Sequence, residues 1–131
     1  MTFPGTYDID CIYIACSSDN DYCLPAKATT TDDITWVKLV DLPINSGQSI
    51  NINSKIVAVG GNLGWSFNLQ TEATNICGTV TVLVPIVNRV GDNTDAEVRL
   101  IAGTNVVTIQ IKGAAATTIQ WMSETCVIIA P

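Results

Sequence analysis

Val107-Thr108-Ile109-Gln110-Ile111 places an apolar side chain at every second position, with polar residues between. This period of two is typical of a β-strand that buries one face. Small residues follow from Gly113 to Thr117, and a second apolar stretch then contains Ile119, Trp121 and the β-branched run Val127-Ile128-Ile129. We therefore predict that this part of the chain forms a pair of long antiparallel strands, covered on one side by another sheet.

The rest of the chain repeats the pattern of short apolar strands separated by turn residues. Further strands are predicted at Tyr7–Cys16, Ile34–Leu42, Ile50–Val59, Trp65–Gln70, Thr79–Val90 and Ala96–Ala102. No strand alternates with a helical segment, which excludes a parallel sheet. The predicted fold class is all-β: an antiparallel β-sandwich, jelly-roll-like, with seven to eight strands in a single domain over residues 1–131.

Several local features qualify this prediction. Leu24 to Asp33 is interpreted as a polar connection rich in threonine, and Asn53-Ser54 as a disturbance in its strand. Thr71 to Gly78 is given room for one helical turn. Gly60 to Gly64 predicts a glycine turn. Pro85 marks an edge or a bulge, because proline cannot donate to a ladder.

Charge is scarce and uneven. The net charge is −6, and charged residues make up 14% of the chain while apolar residues make up 47%, against about 25% charged residues in ordinary domains. Six aspartates and one lysine give residues 1–33 a charge of −5, which defines an acidic N-terminal segment. The six basic residues are scattered, so neither nucleic acid nor a membrane is a predicted partner. So little ionic surface indicates that neighbouring subunits cover part of the domain.

The N-terminus has no basic, apolar targeting pattern, and no stretch approaches the ~20 apolar residues of a membrane span. We expect a protein that is made and used without a cleaved secretory signal. Its five cysteines are Cys11, Cys16, Cys23, Cys77 and Cys126. Their odd number and irregular spacing favour reduced thiols packed as small hydrophobes. One bridge among Cys11, Cys16 and Cys23 is the alternative.

Catalytic chemistry has little support. There is no histidine, so the commonest general base and zinc ligand is missing, and no hydrolase or phosphate-loop motif occurs. Asp8 and Asp10 share a strand face, which more often marks a charged edge than a catalytic pair. The turns Asp19–Asp21 and Asp92–Asp95 have calcium-like oxygens, but Asp and Asn also suit ordinary turns. We predict no enzyme, and no catalytic, cofactor-binding or metal site.

Trp36, Trp65 and Trp121 each occupy the apolar phase of a predicted strand. Core packing explains this better than stacking against sugars, although an exposed tryptophan on a concave face would favour sugar binding. A carbohydrate-binding module or adhesin domain is therefore kept as the alternative function.

The pattern Gly103-Thr104…Val107-x-Ile109-x-Ile111-x-Gly113…Thr117-Thr118-Ile119-x-Trp121…Val127-Ile128 resembles the C-terminal strands of small jelly-roll proteins in tailed-phage virions. These include capsid decoration proteins, head-fibre domains and fibre knobs shaped like the tumour-necrosis-factor fold. The resemblance covers about a quarter of the chain. It implies a non-enzymatic virion component, a homo-oligomer with a trimer favoured, that assembles with its own copies and with other virion proteins.

Overall fold

The computed structural model describes residues 21–91 and 96–130. Within these ranges every regular element is a strand and all pairing is antiparallel, which confirms the predicted all-β fold. The nine described strands are β1 (Tyr22–Thr30), β2 (Val37–Pro43), β3 (Ser49–Gly60), β4 (Leu63–Ile76), β5 (Thr79–Val82), β6 (Ile86–Gly91), β7 (Glu97–Gly103), β8 (Val106–Lys112) and β9 (Ile119–Ala130).

The strands form two sheets around one apolar core, consistent with a β-sandwich. Sheet A has six strands in the order β1-β9-β3-β4-β5, with β6 also paired to β4. Sheet B has three strands in the order β2-β8-β7. Fully buried side chains come from both sheets; among them are Ile50, Ile52, Ile56, Leu69, Trp121, Leu42, Val107, Ile109 and Ile111. The opposite surface of each sheet is called its outer face below.

The strand predicted at Ile50–Val59 is confirmed as β3, but the disturbance expected near Asn53-Ser54 is absent. Ser54 points into the core, where its Oγ lies 2.8 Å from Thr125 Oγ1 of β9. This bond satisfies both buried hydroxyls, so the ladder continues without a break. The glycine turn is also confirmed, because Gly61 takes a positive φ of 58° between the paired residues Gly60 and Leu63.

The two C-terminal strands do not pair with each other, and that prediction is wrong. β8 pairs with β2 and β7 in sheet B, whereas β9 pairs with β1 and β3 in sheet A. Residues 113–118 carry the chain from one sheet to the other. Ile109 and Trp121 can then fill the core from opposite sides. Gly113 lies against Thr30 at this crossing, where a Cβ would overlap Thr30 Oγ1.

Two connections assigned from sequence are strands instead. The supposed polar connection Leu24–Asp33 contains most of β1, which pairs with β9. The Ala26 and Ala28 side chains of β1 are partly buried and pack against the core. The supposed helical turn at Thr71–Gly78 is the end of β4, which continues to Ile76. This segment forms a strand because every second residue, Thr71, Ala73 and Asn75, is buried, which is the period of a strand. The turn that follows is Cys77-Gly78, with positive φ at both residues.

The remaining predictions have mixed outcomes. The strand expected at Ile34–Leu42 begins only at Val37, because the Asp32 carboxylate accepts the Ile34 and Thr35 N–H groups and closes a turn. The role of Pro85 is confirmed as a bulge. Between β5 and β6, the three residues 83–85 lie opposite only two residues of β4, 71–72. Tyr7–Cys16, Asp8, Asp10, Asp19 and Asp92–Asp95 lie outside the described residues.

Candidate functional site

A groove runs along the outer face of sheet A above β3. The short side chains of Asn51 and Asn53 form its floor. Asn51 lies between the longer Ile128 of β9 and Glu72 of β4, and Asn53 lies between Cys126 of β9 and the longer Gln70 of β4. The rim is completed by Lys55, Glu124 and Ile128, and the groove encloses about 390 Å³. This volume is within the usual range of small-molecule sites.

Asn51 and Asn53 of the groove are partly buried, whereas Asn68 and Asn88, which also lack a side-chain hydrogen bond to protein among the described residues, are exposed. In the described part of the chain, Asn51, Asn53 and Gln70 make no side-chain hydrogen bond to protein. By contrast, Gln48 accepts from the Asn45 N–H, and Asn75 donates to the Ile44 carbonyl. The groove amides therefore keep their donors and acceptors for an external partner or for water.

An apolar row crosses the same outer face nearer the Gly61 turn. Met122, Val57, Ser66 and Val90 are successive neighbours across β9, β3, β4 and β6. Met122, Val57 and Val90 are 51%, 53% and 70% exposed. Val59, two residues beyond Val57 on β3, is exposed as well. We call Met122, Val57, Val59 and Val90 the apolar row; Ser66 separates Val57 from Val90, and a group of exposed apolar side chains on one face is a candidate interaction site.

A second hollow of about 290 Å³ lies within this region. It is bordered by Val57 and Val90, with Ser66 and Asn68 of β4 between them. The depression exists because the Ser66 side chain is smaller than those of Val57 and Val90 on either side of it. The apolar row thus carries a hollow beside a protruding methionine, Met122.

No protein-family model, curated protein or solved structure matches this chain. Its function therefore has to be inferred from its own side chains. No group of three or more histidine, cysteine, aspartate or glutamate residues is gathered in the described ranges. No described helix is long and apolar enough to cross a bilayer.

The three tryptophans divide between core and surface. Trp65 and Trp121 are buried, which confirms the prediction for these two. Trp121 Nε1 donates to Thr30 Oγ1 at 2.8 Å, and its ring stacks with Phe67. Trp36 is not part of the core, so that prediction is wrong. It precedes β2 on the outer face of sheet B, with the Arg99 guanidinium carbon 4.0 Å from its ring centre.

The prediction of reduced thiols is also wrong. Cys23 and Cys126 form a disulfide, and Cys77 is disulfide-bonded as well. Antiparallel pairing of β1 with β9 places Cys23 directly opposite Cys126 on the outer face of sheet A, which neither residue's sequence neighbours reveal. Disulfides persist in oxidising surroundings such as the surfaces of cells and virions.

Two exposed aspartates have lowered pKa values, and both are structural. Hydrogen bonds from the backbone N–H groups of Thr35 and Ile34 lower the pKa of Asp32. The Thr108 hydroxyl, followed by Lys38, lowers the pKa of Asp41. Neither lies in the groove. Of the predicted turn Asp19–Asp21, the structure describes only Asp21, whose carboxylate accepts the Ile129 N–H.

Sequence reasoning missed the groove residues. In the sequence, Asn51 falls within the predicted strand Ile50–Val59 and Asn53 within the predicted disturbance of that strand, with no binding role predicted for either. The available signal was that β3 alternates isoleucine with uncharged carboxamides, Ile50-Asn51-Ile52-Asn53, whereas a merely solvated face more often carries charges.

Proposed function

We propose that this chain is a non-enzymatic structural component of a virion, a jelly-roll-like domain of the capsid decoration, head-fibre or tail-fibre type, that acts through subunit assembly. The observation that carries the proposal is the apolar row of Met122, Val57, Val59 and Val90 on the outer face of sheet A. A low-charge domain with such a row gains free energy by covering it, at roughly 25 cal/mol per Å² before association costs.

A second copy of this chain is the occupant that fits the row best. Met122 protrudes next to Val57, and the hollow bordered by Val57, Ser66 and Val90 lies on the other side of Val57. Methionine is a flexible side chain that fills irregular gaps. Met122 of one subunit can therefore enter the mainly apolar hollow of the next, a head-to-tail contact of the kind that closes into a ring.

The strand order supports the jelly-roll-like part of the proposal. β9 lies between β1 and β3, and β2 pairs with β8, so strands distant in sequence are neighbours, as in double Greek-key rolls. β5 and β6 count as one interrupted strand along β4, which brings the described strands to eight. Disulfides are compatible with a particle that leaves the cell.

Sedimentation velocity over a range of concentrations tests the assembly. We expect a homo-oligomer, with a trimer favoured, that Val57→Lys converts to monomer because a buried lysine would lose its hydration. Thr81→Lys is the matched control: Thr81 is an exposed residue on the outer face of sheet A, distant from the apolar row along β4, so its variant should assemble normally. A wild-type protein that remains monomeric at high concentration would overturn the proposal.

A further inference from the structure

We propose that the groove above β3 binds a neutral carbohydrate, a mono- or disaccharide unit. This site is separate from the apolar row and does not depend on subunit assembly. It also differs from the sugar binding considered from sequence, which relied on tryptophans: Trp65 and Trp121 are buried in the core. The groove holds carboxamides instead.

The shape of the groove follows from the register of three strands. Asn51 and Asn53 are two residues apart on β3 and therefore point to the same side. Gln70 of β4 flanks Asn53, and Glu124 of β9 is paired with Lys55. Asn51 and Asn53 are shorter than Gln70, Glu124 and Ile128 around them, and the depression between these side chains measures about 390 Å³.

The hydrogen-bonding capacity of the floor matches hydroxyl groups. Each carboxamide offers two donor hydrogens and an acceptor oxygen. Asn51 and Asn53 are only partly exposed, and neither side chain forms a hydrogen bond with protein within the described residues. A sugar hydroxyl both donates and accepts, so a pair of adjacent hydroxyls can satisfy the two sides of one carboxamide. Partly buried amides without protein partners gain most from such a ligand.

The charge of the groove favours an uncharged ligand. Lys55 and Glu124 face each other across the ladder and cancel in net charge. Lys55 and Glu124 do not form a salt bridge with each other, unlike the pairs Lys38–Asp41 and Lys112–Glu97 among the described residues. Both charged groups can therefore hydrogen-bond a polyol at the rim. Ile128 and the Cys126 sulfur supply apolar surface for the C–H groups of a sugar ring.

Amide-correlation NMR of the isotope-labelled protein tests the site, because it resolves the side-chain NH2 groups of asparagine and glutamine. The probes are the neutral disaccharides cellobiose, maltose, lactose and N,N'-diacetylchitobiose, titrated to about 10 mM, an order of magnitude above a millimolar Kd. An acetylated diglycine amide is titrated in parallel as a neutral peptide. We expect at least one disaccharide to shift the NH2 signals of Asn51, Asn53 and Gln70.

Two variants locate the binding. Asn53→Ala should weaken it about fivefold or more, the usual effect of losing one neutral hydrogen bond. Asn88→Ala is the control, since Asn88 is an exposed carboxamide on the outer face of β6 that does not line the groove. Unchanged backbone signals away from position 53 would show that the variant is folded. No shift with any disaccharide, shifts outside the groove, equal weakening by both variants, or shifts with the peptide alone would each overturn the proposal.

Discussion

Cys23 of β1 lies directly opposite Cys126 of β9, with their Cα atoms 4.0 Å apart, and a disulfide joins them across a sequence separation of 103 residues. The bond fastens the edge strand of sheet A to its neighbour. It closes a loop that contains most of the described chain, so it restricts the unfolded state strongly.

The double variant Cys23→Ser/Cys126→Ser should lower the free energy of unfolding by about 2–4 kcal/mol, because the long loop is no longer closed. Urea unfolding without reductant measures the difference. Peptide mapping of the unreduced wild type should recover the Cys23–Cys126 linkage. Free thiols at both positions under oxidising conditions would contradict the pairing.

Thr30→Val should cost about 1–3 kcal/mol, because it leaves the buried Trp121 Nε1–H without an acceptor while keeping the side-chain shape. Thr29→Val is the matched control. Thr29 is the exposed neighbour on the same strand, and its hydroxyl bonds only the exposed Gln120 side chain. Its variant should stay within about 0.5 kcal/mol of wild type in urea unfolding. Equal effects of the two substitutions would rule out the proposed role of the Thr30 hydroxyl.

Ser54 and Thr125 should be energetically coupled. Either Ser54→Ala or Thr125→Val alone leaves one buried hydroxyl unpaired, at a cost of about 1–3 kcal/mol. The double variant removes both hydroxyls and should cost less than the sum of the single ones. A double-mutant cycle in urea measures this coupling. Strict additivity would mean that the two hydroxyls do not interact.

The acid stability of the protein should depend on Asp32. Its pKa in the folded state is lowered from the ordinary 3.8 by the N–H groups of Thr35 and Ile34. The carboxylate therefore contributes stability that is complete above the unfolded pKa and is lost as pH falls through the folded pKa. Asp32→Asn should flatten the stability profile in that acidic range. An NMR titration of Asp32 with a midpoint at or above the ordinary value would contradict this.

The sequence predicted those strands whose burial alternates strongly. Ile50, Ile52 and Ile56 on β3, and Val107, Ile109 and Ile111 on β8, carry enough apolar surface to reveal the period of two. β1 escaped this reasoning because Ala26 and Ala28 are small and Pro25 suggests a break. A period of two also shows which face is buried but not which strand is the partner.

Partner strands determine the features that the sequence left hidden. The Cys23–Cys126 disulfide exists only because β1 pairs with β9 in this register. The groove likewise depends on Asn53 lying between the longer Gln70 and the rim of β9, residues far apart in the chain. Their proximity is a property of the ladder.

Photo-cross-linking at position 57 tests the central claim of subunit assembly most directly. With p-benzoylphenylalanine in place of Val57, ultraviolet light should link one copy to another, because the apolar row is placed between subunits. The same group in place of Thr81, an exposed residue on the outer face distant from the row, should give little product. Efficient cross-links from Thr81 and none from Val57, or no linked species from either, would contradict the account.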